Sequence, residues 1–97
     1  MLLGLTSASR GLVWQSWDDV YLVYQPSSTE THVFNDTTTL ILKCLERGQL
    51  STEGVKKWTE AALGIGRGGL AADDFAFAVG RLEELGLIER SEEPIAI

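Results

Sequence analysis

Cysteine and histidine each occur once among the 97 residues, and that scarcity removes whole classes of chemistry. A single cysteine rules out an internal disulfide and any multi-cysteine zinc site, and is consistent with a reducing compartment. Cys44 falls on the apolar side of a helical stretch with only Lys43 and Arg47 as basic neighbours in sequence, so it reads as a small hydrophobe rather than a reactive thiol. His32 has Asp18, Asp19 and Glu30 near it in sequence but no second His or Cys at ligand spacing, which favours a structural or contact role over metal binding or catalysis. With no nucleophile–base pair and no metal cluster to assemble, no enzymatic activity, catalytic residue, metal or cofactor is expected.

Positive charge is also scarce: 8 Lys and Arg stand against 14 Asp and Glu, for a net charge of −6. Binding to a phosphate backbone draws most of its strength from clustered cations, so nucleic acid is an unfavoured partner. Long hydrophobic runs are missing too. The start, MLLGLTSASRG, has no basic residue ahead of an apolar stretch of only about five residues, too short for a signal peptide or a membrane span. A cytoplasmic protein without a membrane partner is expected. The glycine string Gly64-x-Gly66-x-Gly68-Gly69 follows a helix rather than a strand and lacks the Lys-Ser/Thr of a nucleotide loop, so it reads as a flexible linker.

What is present fits one globular domain, since 97 residues at 44% hydrophobic bury a single core and leave no room for a second. Residues 1 to about 10 have no clear period and read as a loosely held arm. Leu12 to Trp17 reads as a first strand turning at Trp17-Asp18-Asp19. In the next run Val20, Leu22 and Tyr24 occupy one parity and Tyr21 and Val23 the other, as in a central strand apolar on both faces. The loop around Pro26-Ser27-Ser28 then leads to Glu30–Phe34, completing a three-strand antiparallel meander. After Asn35 the period changes to that of helices. Asn35 or Asp36 caps a first helix carrying Leu40, Ile41, Cys44 and Leu45, and Ser51 caps a second with Val55, Trp58, Thr59, Ala62 and Leu63 on one face.

Asp73 or Asp74 is expected to cap a third helix running to Leu85 and stopped by Gly86. Phe75, Ala78, Val79, Leu82 and Leu85 form its buried stripe, while Phe77, Arg81 and Glu84 point the other way. Leu87–Arg90, a turn and residues 95–97 read as a short strand and its return. Trp58 belongs to the core, whereas Trp14 and Trp17 flank the first turn and suit either packing or partner contact. The fold class expected is α+β: an N-terminal three-stranded antiparallel sheet followed by a three-helix winged helix-turn-helix with a short C-terminal wing.

The strings WDDVYLVYQPSSTETHVFN, the Leu40–Leu45 helix, the Ser51 helix start and RLEELGLIE at 81–89, in this order, resemble the PqqD-like family. That family is named for the pyrroloquinoline quinone biosynthesis protein. Within it the chain looks most like the peptide chaperones found beside a kinase-like protein related to the kinase of the phosphocarrier protein HPr. The resemblance covers about residues 12 to 90 and implies a recognition element for ribosomally made, post-translationally modified peptides. Such a domain takes the leader of a precursor peptide as an added strand and presents the peptide to a modifying enzyme. It implies strand contacts at Thr31, His32, Val33 and Phe34 and a groove at Phe75, Val79 and Leu82 or their neighbours, with Phe77 and Arg81 facing it. The Gly66–Gly69 run is a departure that loosens the entry to the third helix.

Two other readings compete. One is a winged-helix DNA-binding regulator, whose recognition helix would begin Asp73-Asp74 and carry Glu83-Glu84 against Arg81, and so repel phosphates. The other is a homodimerisation module pairing the third strand with its copy, so that monomer and homodimer both stay open. At about 0.15 M salt, duplex DNA is expected to bind this chain no better than it binds an inert acidic protein. Sub-micromolar, sequence-dependent gel shifts would restore the regulator.

Overall fold

The computed structural model describes residues 1–9, 11–18 and 20–92. It is an α+β structure with three helices and two small antiparallel three-stranded sheets. In chain order these are β1 (Leu2–Leu5), a single 3-10 turn (Ser7–Ser9), β2 (Val13–Trp17), β3 (Val20–Gln25), β4 (Glu30–Phe34), α1 (Asp36–Leu45), β5 (Leu50–Ser51), α2 (Thr52–Leu63), α3 (Ala72–Glu84) and β6 (Ile88–Ser91).

The meander β2-β3-β4 forms as the sequence indicates, with β3 in the middle and β4 at an edge. Tyr21 stands opposite Phe34 and Val23 opposite His32 and Trp14, which puts Trp14, Tyr21, Val23, Gln25, His32 and Phe34 on one face. That face lies toward α1, where the Lys43 ammonium sits 5.7 Å from the Trp14 ring centre and 5.1 Å from that of Tyr21. The opposite face keeps Val13, Trp17, Tyr24 and Val33 in solvent. Apolar residues on both parities of β3 therefore do not make it a strand covered on both sides.

Local chemistry sets the helix starts. The Asn35 side chain accepts the Thr38 N–H at 2.9 Å, and Ser51 Oγ accepts the Gly54 N–H at 3.0 Å. The ends of α2 and α3 share another device. After α2, Gly64 (φ 73°) and Ile65 donate to the carbonyls of Ala61 and Glu60; after α3, Gly86 (φ 75°) and Leu87 donate to those of Glu83 and Leu82. In each case the left-handed residue closes the last turn as a Schellman motif, a conformation that glycine adopts without the Cβ penalty.

Three sequence expectations change. The first residues are no loose arm: β1 is the central strand of the sheet β5-β1-β6, and Leu3 is fully buried. Leu2 pairs with both Ser51 and Ser91, Thr6 N–H donates to the Leu87 carbonyl at 3.0 Å, and the Ser9 hydroxyl also donates to Leu87. Period failed as a signal there because four residues are too few to show one. Second, α3 starts at Ala72 behind Ala71, with no side-chain cap; Asp73 and Asp74 lie within its first turn, where they favour the helix dipole. Third, β6 pairs with β1, so the sheet has an N-terminal component. The return strand expected at residues 95–97 lies outside the described residues.

The core gathers Leu3, Val23, Ile41, Leu42, Val55, Leu82 and Leu87, none of them exposed, from both sheets and all three helices. Leu3→Ala is expected to cost about 2–5 kcal/mol in urea unfolding, the range for a buried leucine truncated in a packed core. A loss below about 0.5 kcal/mol would mean that β1 is not docked in solution.

Candidate functional site

Between the end of β4, the start of α1 and the outer face of α3 lies an open groove of about 500 Å³. One wall is built from Val33, Phe34, Asn35, Thr37 and Thr38, the other from Leu70, Asp74, Phe77, Ala78 and Arg81. The first wall is where a strand gives way to a helix, because Asn35, still in the extended region, caps α1. The second is a helical stripe, since Asp74, Phe77, Ala78 and Arg81 recur at three- and four-residue spacing. A smaller depression of about 170 Å³ continues along α3 past Phe77, Gly80, Arg81 and Glu84.

Phe77 is 76% exposed, in a helix whose Phe75, Ala78, Val79 and Leu82 are buried. The wheel thus places it correctly on the solvent side, and the groove receives it. β4 borders the groove as an edge strand, so alternate main-chain groups point away from β3 with no strand to take them among the described residues.

The residues named from the sequence divide by depth. Val33, Phe34, Phe77 and Arg81 line the groove, and Thr31 lies exposed on the same strand. Phe75, Val79 and Leu82 are buried in the core and do not line it, because they form the stripe that α3 turns inward. His32 is buried as well. Its Nε2–H donates to Gln25 Oε1 at 2.8 Å, and its ring stacks on Phe34 at 5.6 Å between centres. The Gln25 amide donates in turn to Ser27 Oγ, which donates to the Ala8 carbonyl, so this polar chain ties the hairpin to the N-terminal segment. The His32 side chain therefore belongs to the interior and not to the groove. The sequence does not assign Asn35, Thr37, Thr38, Leu70, Asp74 and Ala78 to the groove. Asp74 and Ala78 could have been found as helical neighbours of Phe77, but the placement of Leu70 depends on a contact that the sequence does not display.

That contact is with Glu60, a carboxylate only 4% exposed. Its Oε2 accepts the Leu70 N–H at 3.0 Å and the Lys56 ammonium at 3.1 Å. The Leu70 N–H holds the Glu60 carboxyl below the usual carboxylate range against burial, which pushes the other way; Lys56 and the Gly68 N–H add to the lowering. The glycine string read as a flexible linker is thus tied at both ends to one residue, because the Glu60 carbonyl also accepts the Ile65 N–H at 3.1 Å. Burial pushes the Cys44 thiol up, with Arg47 acting against it, which fits a packing role. Among the described residues no group of His, Cys, Asp and Glu is arranged to hold a metal ion, and no helix is long and apolar enough to cross a membrane.

Phe77→Ala is expected to leave the unfolding free energy within about 0.5 kcal/mol of the parent, as for other exposed positions. Val79→Ala removes buried methyls and should cost about 2 kcal/mol. Parallel thermal melts measure both, at roughly 4–8 °C per kcal/mol for a chain of this length. Equal losses would show that Phe77 is packed in solution.

Comparison with known proteins adds no relative to this geometry: no family model, no curated protein and no solved structure matches the chain.

Proposed function

We propose that this chain is a PqqD-like peptide-recognition domain of winged-helix type, without chemistry of its own, that binds the leader of a ribosomally synthesised precursor peptide and presents it to a modifying enzyme. The observation that carries the reading is the meeting of an open strand edge with an apolar-and-charged groove, β4 on one side and Phe77 with Arg81 on the other. An extended peptide adding to β4 gains main-chain hydrogen bonds of low sequence selectivity. Its alternate side chains then fall toward α3, where Phe77 offers apolar area and Arg81 a cation. The winged-helix description rests on the order of three helices followed by β6, with β1 and β5 completing the wing.

A helix whose solvent side carries Asp73, Asp74 and Glu84 is poorly suited to phosphates, which supports a peptide over DNA. The cytoplasm, where precursor peptides are made, is the location this reading requires.

The test uses a labelled pool of synthetic twelve-residue peptides with aliphatic or aromatic residues at two alternate positions, titrated by fluorescence polarisation and sequenced after retention. A subset should bind and protect β4 amides from exchange. Phe77→Ala should weaken its binding by on the order of 1–4 kcal/mol, while Glu84→Ala costs well under ~1. If no peptide is retained, or if the variants are indistinguishable, the reading fails.

A further inference from the structure

We infer that Glu60 is a positioning residue for the groove: by taking the Leu70 N–H it fixes the wall formed by the entry to α3. As a statement about peptide affinity this rests on the proposed function; as a statement about the groove's shape it does not.

Three observations converge on it. The connection from α2 to α3 contains Gly64, Gly66, Gly68 and Gly69, so half of its residues have no side chain with which to hold a conformation. The helix it leads into has no side-chain cap, since Ala71 stands where Ser, Thr, Asp or Asn would accept an N–H. And Leu70, the residue before Ala71, lines the groove while its N–H ends on Glu60 Oε2 at 3.0 Å. Glu60 therefore holds, from α2, the chain just before the uncapped start of α3, though it takes none of the first-turn N–H groups that an N-cap would accept. The lever is short: Leu70 stands two residues before α3 and shares one wall of the groove with Asp74, Phe77 and Arg81 of that helix.

An ion pair with Lys56 alone would not need this geometry. Lys56 lies one turn before Glu60 on α2, and such pairs form on helix surfaces without reaching a neighbouring element. Of the charged groups that line one depression with Glu60, namely Glu53, Lys56 and Lys57 from α2 and Arg67 from the loop, Lys56 is the one in contact with its carboxylate among the described residues. Charge and reach can be separated by substitution. Glu60→Gln keeps an acceptor of the same length without the charge, whereas Glu60→Asp keeps the charge but withdraws it by a methylene.

The experiment records amide chemical shifts and hydrogen exchange of the parent, Glu60→Gln, Glu60→Asp and Glu60→Ala, and titrates each with the peptides retained from the pool. Glu60→Asp and Glu60→Ala are expected to shift the amides of Leu70, Asp74 and Phe77. They should also speed exchange at Leu70 by at least about tenfold and weaken peptide binding by about tenfold, as for a lost hydrogen bond to a charged group. Glu60→Gln should stay within about threefold of the parent in both. Should Glu60→Ala not fold, the Asp and Gln variants still decide. The inference is overturned if Gln is damaging while Asp is not, which would assign the role to charge, or if the groove amides stay unmoved in Asp. If the parent retains no peptide, the proposed function falls while the shifts still decide this point.

Discussion

Among the described residues no strand ladder joins the two sheets, so apart from the Ser27–Ala8 tie their relative placement depends on the burial of α1 against both. Ile41, Leu42, Cys44 and Leu45 are buried around this helix, which touches β1 on one side, β3 and β4 on another, and α2 and α3 besides. A ten-residue helix is too short to be stable alone in water, so its existence and the docking of the sheets are one event. Removing water from this single element positions the inner face of the meander, the stripe of α3 and Leu3 of β1. The groove is what remains where α1 and β4 meet α3 without closing on it.

This arrangement gives the two faces of α3 separate duties. Phe75, Val79 and Leu82 are held in the core, while Asp74, Phe77 and Arg81 are supported from behind by that packing and stay free of its demands. A binding surface on a well-packed helix face loses little conformational entropy when a ligand arrives, since its backbone is already fixed. On the opposite wall His32 does similar work from inside the sheet. Its bond to Gln25 and its stacking on Phe34 satisfy a polar ring in the interior and keep β4 in register at the edge.

Much of this was legible because it rests on local rules. Asn35 and Ser51 announce the helix starts, alternation announces the meander, and the 3.6-residue period separates Phe77 from Val79. What was not legible depends on partners distant in sequence. Leu2–Leu5 has no pattern of its own and becomes a strand only because β5 and β6 flank it. The start of α3 looked like a matter of Asp73 and Asp74, yet its anchor is a carboxylate ten residues before Leu70 on another helix. Phe75, Val79 and Leu82 were placed in the groove by family resemblance, although the wheel that assigns them to the buried stripe already argues against side-chain contact there.

The central place of β1 also bears on how the chain reaches this structure. Thr6 bonds to Gly86 across 80 residues of sequence, and Leu2 of β1 pairs with Ser91. During synthesis the meander and α1 can assemble as they emerge, but Leu3 must wait without its second neighbour until β6 has been made. Closing so long a loop carries an entropic cost before any contact offsets it, so the last step should be slow compared with the formation of the hairpins. Until then β1 is an uncharged apolar segment seeking an edge, and the strand edges already formed in a nascent chain are β2 and β4.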